Sequence, residues 1–344
     1  MKCRHCFSEL THVFIDLGFA PPSNAYLTKD GLKCFEKYYP LKVMVCDECW
    51  LVQTEDYTQV DELFDSEYAY FSSTSSVWLE HAKNYSNKVI QELNLNEKSL
   101  VIEVASNDGY LLKNFINANI PCLGIEPTAS TAKVSEGLGI EVLKKFFGEQ
   151  LGLQLTEEGR QADLIIGNNV YAHVPDINDF TRGLKAALKP NGTITLEFPH
   201  LMRLIEFNQF DTIYHEHFSY LSLYAVRKIM SKSSLRIFDV EELPTHGGSL
   251  RVYICHQNDP RRTISAVGEM LINEKNFGLQ DLKIYADFQS RADLIKNNFL
   301  EFLLTQKKLG KKVAAYGAAA KGNTLLNFAG VKSDLIRYVV DRSP

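Results

Sequence analysis

Long apolar runs are missing from this chain. No stretch approaches the roughly 18 residues that cross a membrane as a helix, and the opening Met1-Lys-Cys-Arg-His-Cys6 has no apolar segment of the kind that marks an export signal. A soluble, cytoplasmic protein is expected. Blocks of basic residues are missing too: Lys+Arg number 37 against 42 Asp+Glu, for a net charge of −5, and this mild acidity argues against a nucleic-acid partner. Also absent is Gly-x-Gly-x-x-Gly, which excludes an ordinary dinucleotide turn. What is present, 344 residues of which 45% are hydrophobic and 23% charged, suits two or three domains.

The densest chemistry lies in Asp211-Thr-Ile-Tyr-His-Glu-His-Phe-Ser-Tyr220, where two tyrosines, two histidines and a glutamate follow an apolar run ending Leu196-Glu-Phe-Pro-His200. Groups that move protons near neutral pH point to acid/base work. His and Glu also pair on solvated loops, so the neighbourhood has to decide. Upstream, Ser99-Leu-Val-Ile-Glu-Val-Ala105 reads as a buried strand that breaks into Ser106-Asn-Asp-Gly109, after which Leu111, Leu112, Phe115 and Ile116 share one helical face. Strand, small-residue turn and helix open a doubly wound nucleotide-binding unit.

The next strand, Ile120-Pro-Cys-Leu-Gly-Ile125, ends in Glu126, placed to accept the ribose hydroxyls of an adenosine. Glu103-Val-Ala-Ser-Asn-Asp-Gly109 resembles the acidic-x-Gly-x-Gly-x-Gly loop of S-adenosylmethionine-dependent methyltransferases, with Ala105 and Asn107 in place of the first two glycines. Ala105 still admits a ligand to the backbone, and Asn107 tolerates φ above zero. Gly139–Leu143 leads to Phe146-Phe147-Gly148, and Ala162–Gly167 leads to Asn168-Asn169-Val-Tyr-Ala-His173. A helix is expected from about Ile177 to Leu188, then a Lys189-Pro-Asn-Gly192 turn and the strand Thr193–Glu197. Ser106 to Gly109, Glu126, Asn168 to His173 and the 210–220 segment are expected to converge on one crevice at the carboxyl ends of the strands.

Of seven cysteines, four form Cys3-Arg-His-Cys6 and Cys46-Asp-Glu-Cys49. Two such knuckles point to a closed, structural zinc site. Disulfide or redox pairing is the alternative, and a reducing compartment favours metal. His5 and Asp47 read as turn residues, and Cys34, Cys122 and Cys255 as small core residues. Leu17 to Tyr26 reads as a loop and Tyr39 to Cys46 as a strand, so residues 1–62 make a small zinc-stapled module, too short for a large core of its own. Glu67 to Ser76 then bridges to a helix from Val77 to Leu93; Tyr68 and Tyr70 there are either packing residues or a lid.

Taken together, the two knuckles, Glu103–Leu112, Gly-Ile-Glu-Pro at 124–127, Asn-Asn-Val-Tyr-Ala-His at 168–173, Tyr-His-Glu-His-Phe at 214–218, His-Gly-Gly-Ser-Leu-Arg at 246–251 and Tyr-Gly-Ala-Ala-Ala-Lys-Gly at 316–322 resemble, in content and order, the nucleotide-sugar C-methyltransferases. The resemblance covers essentially the whole chain. It implies an α/β protein: a zinc-binding module (1–62, ligands Cys3, Cys6, Cys46 and Cys49), a Rossmann-like methyltransferase domain (63–250) and a C-terminal Rossmann-like domain (251–344), acting as a monomer on a nucleoside-diphosphate keto-sugar. The cofactor residues would be Glu103, Ala105, Ser106, Asn107, Gly109, Glu126, Pro127, Phe147, Asn168 and Asn169.

Forming a carbon–carbon bond with a sulfonium methyl requires a carbon nucleophile, which a 4-keto sugar supplies once a base removes the adjacent proton. His217 is the expected base, with Glu216 tuning it, and Tyr214 and His173 donating to the oxyanion; the resemblance adds Tyr68. His215 alternates with His217 and reads as a surface or supporting histidine. Tyr70, His246, Gly247 and Lys321 are candidates for substrate contacts; plain loop geometry is the alternative at 246–247. Methylation of oxygen or nitrogen, or a non-catalytic scaffold, remain alternatives: the first needs no ketone and no exchange at carbon, the second no base. Lys311 to Tyr316 and Leu335 to Val340 supply only two strands, and relatives normally continue further, so a shortened chain with incomplete substrate contacts is expected.

Overall fold

The computed structural model describes residues 1–24, 27–55, 71–317 and 319–341. The strands among them are β1 (His12–Ala20), β2 (Tyr39–Val45), β3 (Val52–Thr54), β4 (Val101–Val104), β5 (Cys122–Ile125), β6 (Glu141–Leu143), β7 (Ala162–Asn168), β8 (Leu188–Pro199), β9 (Ser219–Tyr220), β10 (Leu235–Leu243), β11 (Ser249–His256), β12 (Val313–Tyr316) and β13 (Ile336–Val340). Contacts divide the chain into two compact units, neither continuous in sequence. The first takes Met1–Leu63, His200–Ser222 and Glu274–Pro344; the second takes Phe64–Pro199 and Leu223–Asn273.

In the second unit, short apolar runs ending in turn residues become the parallel strands of one mixed sheet, ordered β6-β5-β4-β7-β8-β11-β10, with β11 antiparallel to both its neighbours. The chain moves outward from β4 through β5 to β6, then returns to β7 on the other side of β4. That reversal lies between β4 and β7, where open α/β sheets bind ligands. The turn expected at Lys189–Gly192 is instead part of strand β8: Ala162 pairs with Leu188 and Leu164 with Thr193, so the intervening residues stand out from it as a bulge.

The first unit pairs β1-β2-β3-β9 into an antiparallel sheet and holds a separate parallel pair, β12-β13, joined through the helix Ala320–Phe328. Strand β1 overturns the loop reading over Leu17–Ala20, while residues 21–24 are irregular and turn as expected and residues 25–26 lie outside the described residues. It runs on to Ala20 by absorbing Gly18 (φ 75°) in a register shift between Asp16 and Phe19. The zinc module's small size is resolved by sharing: Phe14, Ile15, Leu41 and Val43 pack in one core with Leu201, Ile205, Phe210, Tyr285 and Phe288. Of the unpaired cysteines, Cys122 and Cys255 are buried as expected, but Cys34 is exposed. No described helix is long and apolar enough to cross a membrane.

Gly109 closes the turn after β4 at φ +78°, where a Cβ would stand 2.6 Å from Ile140 Cδ1 and 2.7 Å from Ser135 Oγ. Gly109→Ala is therefore expected to cost about 1–3 kcal/mol of stability, read as a lowered denaturant midpoint; an unchanged midpoint would mean that the turn is not held as described.

Candidate functional site

The turn after β4 is built from alternating left-handed residues: Ala105 (φ 56°), Asn107 (φ 49°) and Gly109 (φ 78°). These are the three glycine positions of the acidic-x-Gly-x-Gly-x-Gly pattern. The backbone conformation has been kept although two of the glycines have not. Gly124 on β5 lets the turn sit close, since a Cβ there would lie 2.5 Å from Ser106 Oγ. Glu126, buried at the end of β5, accepts the backbone N–H of Asn107 at 2.9 Å on one oxygen and that of Thr128 at 2.9 Å on the other. This pins the acid to the turn and leaves each oxygen a second lone pair. Phe147 packs edge-on against Phe180, with ring centroids 5.2 Å apart.

Charge is concentrated here without internal compensation. Glu103, 1% exposed, is pushed well above the usual carboxylate range, by burial first and then by the carboxylates of Asp108 and Glu126. Glu103 Oε2, Ser106 Oγ, Asp108 Oδ1 and Asn169 Oδ1 are buried without a hydrogen-bond partner. Such a group of acceptors suits a cationic ligand carrying several donors. The preceding segment is fastened to the turn by Ser72 N–H to Asn107 Oδ1 at 2.9 Å and Ser73 N–H to Asp108 Oδ2 at 3.0 Å. Tyr68 and Tyr70 lie outside the described residues.

A neighbouring network was not anticipated as a site. Glu197, fully buried near the end of β8, takes Arg251 at 2.6 Å, His81 at 2.9 Å and Thr245 Oγ1 at 3.0 Å. Burial would raise the Glu197 carboxyl, but His81 and Arg251 beside it hold it below the ordinary value. Trp78 stacks on His81 with centroids 4.8 Å apart and meets His246 edge-on at 5.3 Å, and Asn169 Nδ2 lies 3.3 Å from His246 Nε2. The available signals were weak. They comprise a carboxylate inside an apolar strand, and a histidine four residues before the buried Tyr85 on the helix Ser76–Glu92. The strand register that sets Arg251 opposite Glu197 cannot be seen in the sequence. His246 itself has φ 52°, followed by Gly247 at 82° and Gly248 at 117°. His173 closes a short 3-10 turn, Tyr171–His173, after β7.

In the first unit, a 3-10 turn at Phe210–Thr212 leads into the His-Glu-His segment and then β9. His217, 8% exposed, donates Nδ1–H to the Thr212 carbonyl at 2.8 Å. In the neutral ring this fixes the hydrogen on Nδ1 and the lone pair on Nε2. The Tyr214 ring lies against it, centroids 4.0 Å apart. Glu216 Oε1 accepts from Asn24 Nδ2 at 2.6 Å and Ser23 Oγ at 3.5 Å. His215 is not a surface group: it is 6% exposed, its Nε2 donates to the Pro40 carbonyl at 3.2 Å, and burial lowers its basicity. A shallow depression of about 10 Å³ is lined by Pro21, Ser23, Tyr214, His215, Asn323 and Asn327, among others. Lys321, in the first turn of Ala320–Phe328, acts electrostatically on Asp211. The same unit brings the sulfurs of Cys3, Cys6, Cys46 and Cys49 within 4.8 Å of one another. The two knuckles match, with Phe7 (φ 67°) and Trp50 (φ 62°) each left-handed just after the second cysteine.

Three family models match this chain: a zinc binding domain over residues 3–64, a methyltransferase domain over 78–240 and a C-methyltransferase C-terminal domain over 244–344. C-methyltransferase NovU from Streptomyces niveus is 31% identical over 340 residues, covering 99% of this chain and 81% of that protein. The chain belongs to the C-methyltransferase family. Among solved structures, an S-adenosylmethionine-dependent methyltransferase from Anabaena variabilis is 14% identical with a TM-score of 0.45, over 58% of this chain and 96% of its own. Another, from Clostridium acetobutylicum, is 11% identical with a TM-score of 0.42, over 52% and 92%. Overlap of that quality does not bear on function.

This C-methyltransferase uses S-adenosylmethionine and carries a zinc-binding N-terminal domain. Its residues fit both groups. The acceptors around Glu103 and Asp108 match a ligand with an ammonium and a sulfonium, and Glu126 is set for ribose hydroxyls. The four thiols suit a tetrahedral zinc with no open position. Among them the thiols of Cys46 and Cys49 pull Cys3 well below its ordinary range, while Cys46 is pushed up to about 12, chiefly by Cys3.

Because the folded protein raises Glu103, the stability that this group contributes is present at low pH and is lost as pH rises above the ordinary carboxylate range. Glu103→Gln is expected to raise the Tm of the cofactor-free protein by a few degrees at pH 8, with the gain vanishing near pH 4, and to weaken S-adenosylmethionine roughly tenfold. Scanning calorimetry against pH, with a binding titration, checks both. A variant less stable at pH 8 would contradict the account.

Proposed function

We propose that this enzyme methylates the carbon beside the ketone of a nucleoside-diphosphate 4-keto-deoxysugar, through an enolate, in deoxysugar or polysaccharide biosynthesis. Bound S-adenosylmethionine supplies an electrophilic methyl group. Ala105, Ser106, Asn107, Gly109, Glu126, Pro127, Phe147, Asn168 and Asn169 hold that cofactor, with Glu103 beneath it.

One observation carries the reading: the His217 ring is fixed by Nδ1–H donation to Thr212 at 2.8 Å, with the Tyr214 ring tilted against it. A neutral imidazole so held presents Nε2 as a base. It removes the proton from the carbon next to the ketone, and the electron pair of that C–H bond becomes the enolate. The enolate carbon would accept the methyl group that bound S-adenosylmethionine would supply, its C–S bond breaking to leave a neutral thioether, and the proton on His217 passes to solvent. Tyr214 and His173 donate to the enolate oxygen. Glu216, held by Asn24 and Ser23, orients or tunes the imidazole of the base, and Thr212 fixes its tautomer. Tyr68 and Tyr70 contact the sugar, His246 and Gly247 shape its turn, and Lys321 balances the diphosphate. The chain works as a cytoplasmic monomer in three functional segments, 1–62, 63–250 and 251–344. The relative named a C-methyltransferase supports carbon as the acceptor.

In D₂O, with a panel of nucleoside-diphosphate 4-keto-6-deoxysugars, the protein is expected to add one deuteron to a substrate without cofactor and one methyl with it. His217→Asn should reduce both by at least ~100-fold. Methyl transfer that survives in His217→Asn would contradict the role given to this residue.

A further inference from the structure

Two adjacent residues of β3 connect the thiol cluster to the loop that carries His217, and all of these groups belong to the first unit. Gln53 is fully buried; its Nε2 donates to Cys3 Sγ at 3.2 Å while its Oε1 accepts the backbone N–H of Arg4 at 2.9 Å. Both ends of one amide are thus fastened to the first knuckle. The next residue, Thr54, is 3% exposed and turns the other way: its hydroxyl donates to the His217 carbonyl at 3.2 Å, and its N–H to the Phe218 carbonyl at 3.2 Å. Arg4 closes the circuit, donating to the Thr54 carbonyl at 3.0 Å and lying over the Phe218 ring at 5.4 Å. The ladder between β3 and β9 is short, with Val52 opposite Tyr220 and Gln53 opposite Ser219. The bond from Thr54 to His217 lies beyond its end.

We propose that Gln53 and Thr54 are positioning residues that tie the four-cysteine centre to the backbone of His217, so that metal occupancy sets the orientation of the proposed base. Groups behind metal ligands commonly orient those ligands. Here the same strand orients both a ligand and, one residue on, a segment with a separate task. A misplacement of about 1 Å at a reacting group costs up to a hundredfold in rate, so even a partial release of His217 should be measurable. The inference rests on the reading of His217 as base, and the test separates the two.

The test uses the full chain with zinc bound. Thr54→Val keeps the shape and branching of the side chain and removes only the hydroxyl; Thr54→Ser keeps the hydroxyl. Four quantities are measured: zinc content, S-adenosylmethionine affinity, kcat and KM for cofactor-independent deuterium exchange into the keto-sugar, and the ¹⁵N spectrum of the His217 ring. Thr54→Val is expected to retain zinc and cofactor affinity, to lose roughly tenfold in exchange kcat at unchanged KM, and to show a His217 ring no longer held as a single Nδ1–H tautomer. Thr54→Ser should restore both. Removing zinc from the unaltered chain with a chelator should change the His217 spectrum in the same direction, which keeps the test open if Thr54→Val does not fold. An unaltered exchange rate and His217 spectrum in zinc-bound Thr54→Val would overturn the proposal. Exchange that persists in His217→Asn would instead overturn the reading of the base.

Discussion

Four cysteine sulfurs within 4.8 Å of one another cannot all carry charge without a cation, and a divalent ion that balances them also closes the loop of 39 residues between the knuckles. Much of the first unit depends on that closure. The knuckles fix the ends of β2 and β3, β3 pairs with β9, and β9 follows directly on the His-Glu-His segment. Residues 1–63 lack the apolar area for an independent core, so they share one with residues 201–220 and 277–292. Under the role proposed for His217, a metal with no part in the chemistry would be mechanically coupled to the base.

The second unit solves a different problem. Its turn after β4 must expose backbone N–H groups and acidic side chains to a ligand, yet the glycines that usually make this easy are reduced to one. Ala105 and Asn107 adopt left-handed conformations at some cost in strain, and buried carboxylates are kept close together with Glu103 raised as a result. Both features are unfavourable in the empty protein. The repulsion among the carboxylates, though not the backbone strain, would be offset by a cationic ligand held at this turn.

The central sheet was legible because each parallel strand is a short apolar run that ends in turn residues, and the side-chain chemistry at those ends is local in sequence. Asn107 could be assigned a tolerance of positive φ from the pattern alone, whereas the left-handed Ala105 was not foreseen, and the knuckles announced the metal. What escaped has a common cause. Strand β1 escaped because its Gly18 bulge imitates a loop; the network of Glu197, Arg251 and His81 escaped because its members are brought together by register and helix packing. The assembly of the first unit from three separate stretches of sequence is likewise a property of its core packing, invisible to a reading that follows the chain. The alternation expected of His215 and His217 in an extended segment is replaced by a turn, closed by the His217 N–H to the Tyr214 carbonyl at 3.0 Å, and both histidines are buried, one anchored to Pro40 and the other to Thr212.

The central claim is that the methyl group goes to carbon. The most direct measurement is to incubate the protein with a ¹³C-labelled nucleoside-diphosphate 4-keto-6-deoxysugar and S-adenosylmethionine labelled with ¹³C in its methyl group, and to record the carbon spectrum of the product. The account predicts a methyl signal split by a one-bond coupling to the ring carbon beside the ketone. An uncoupled methyl at the shift of an ether or amine would contradict it.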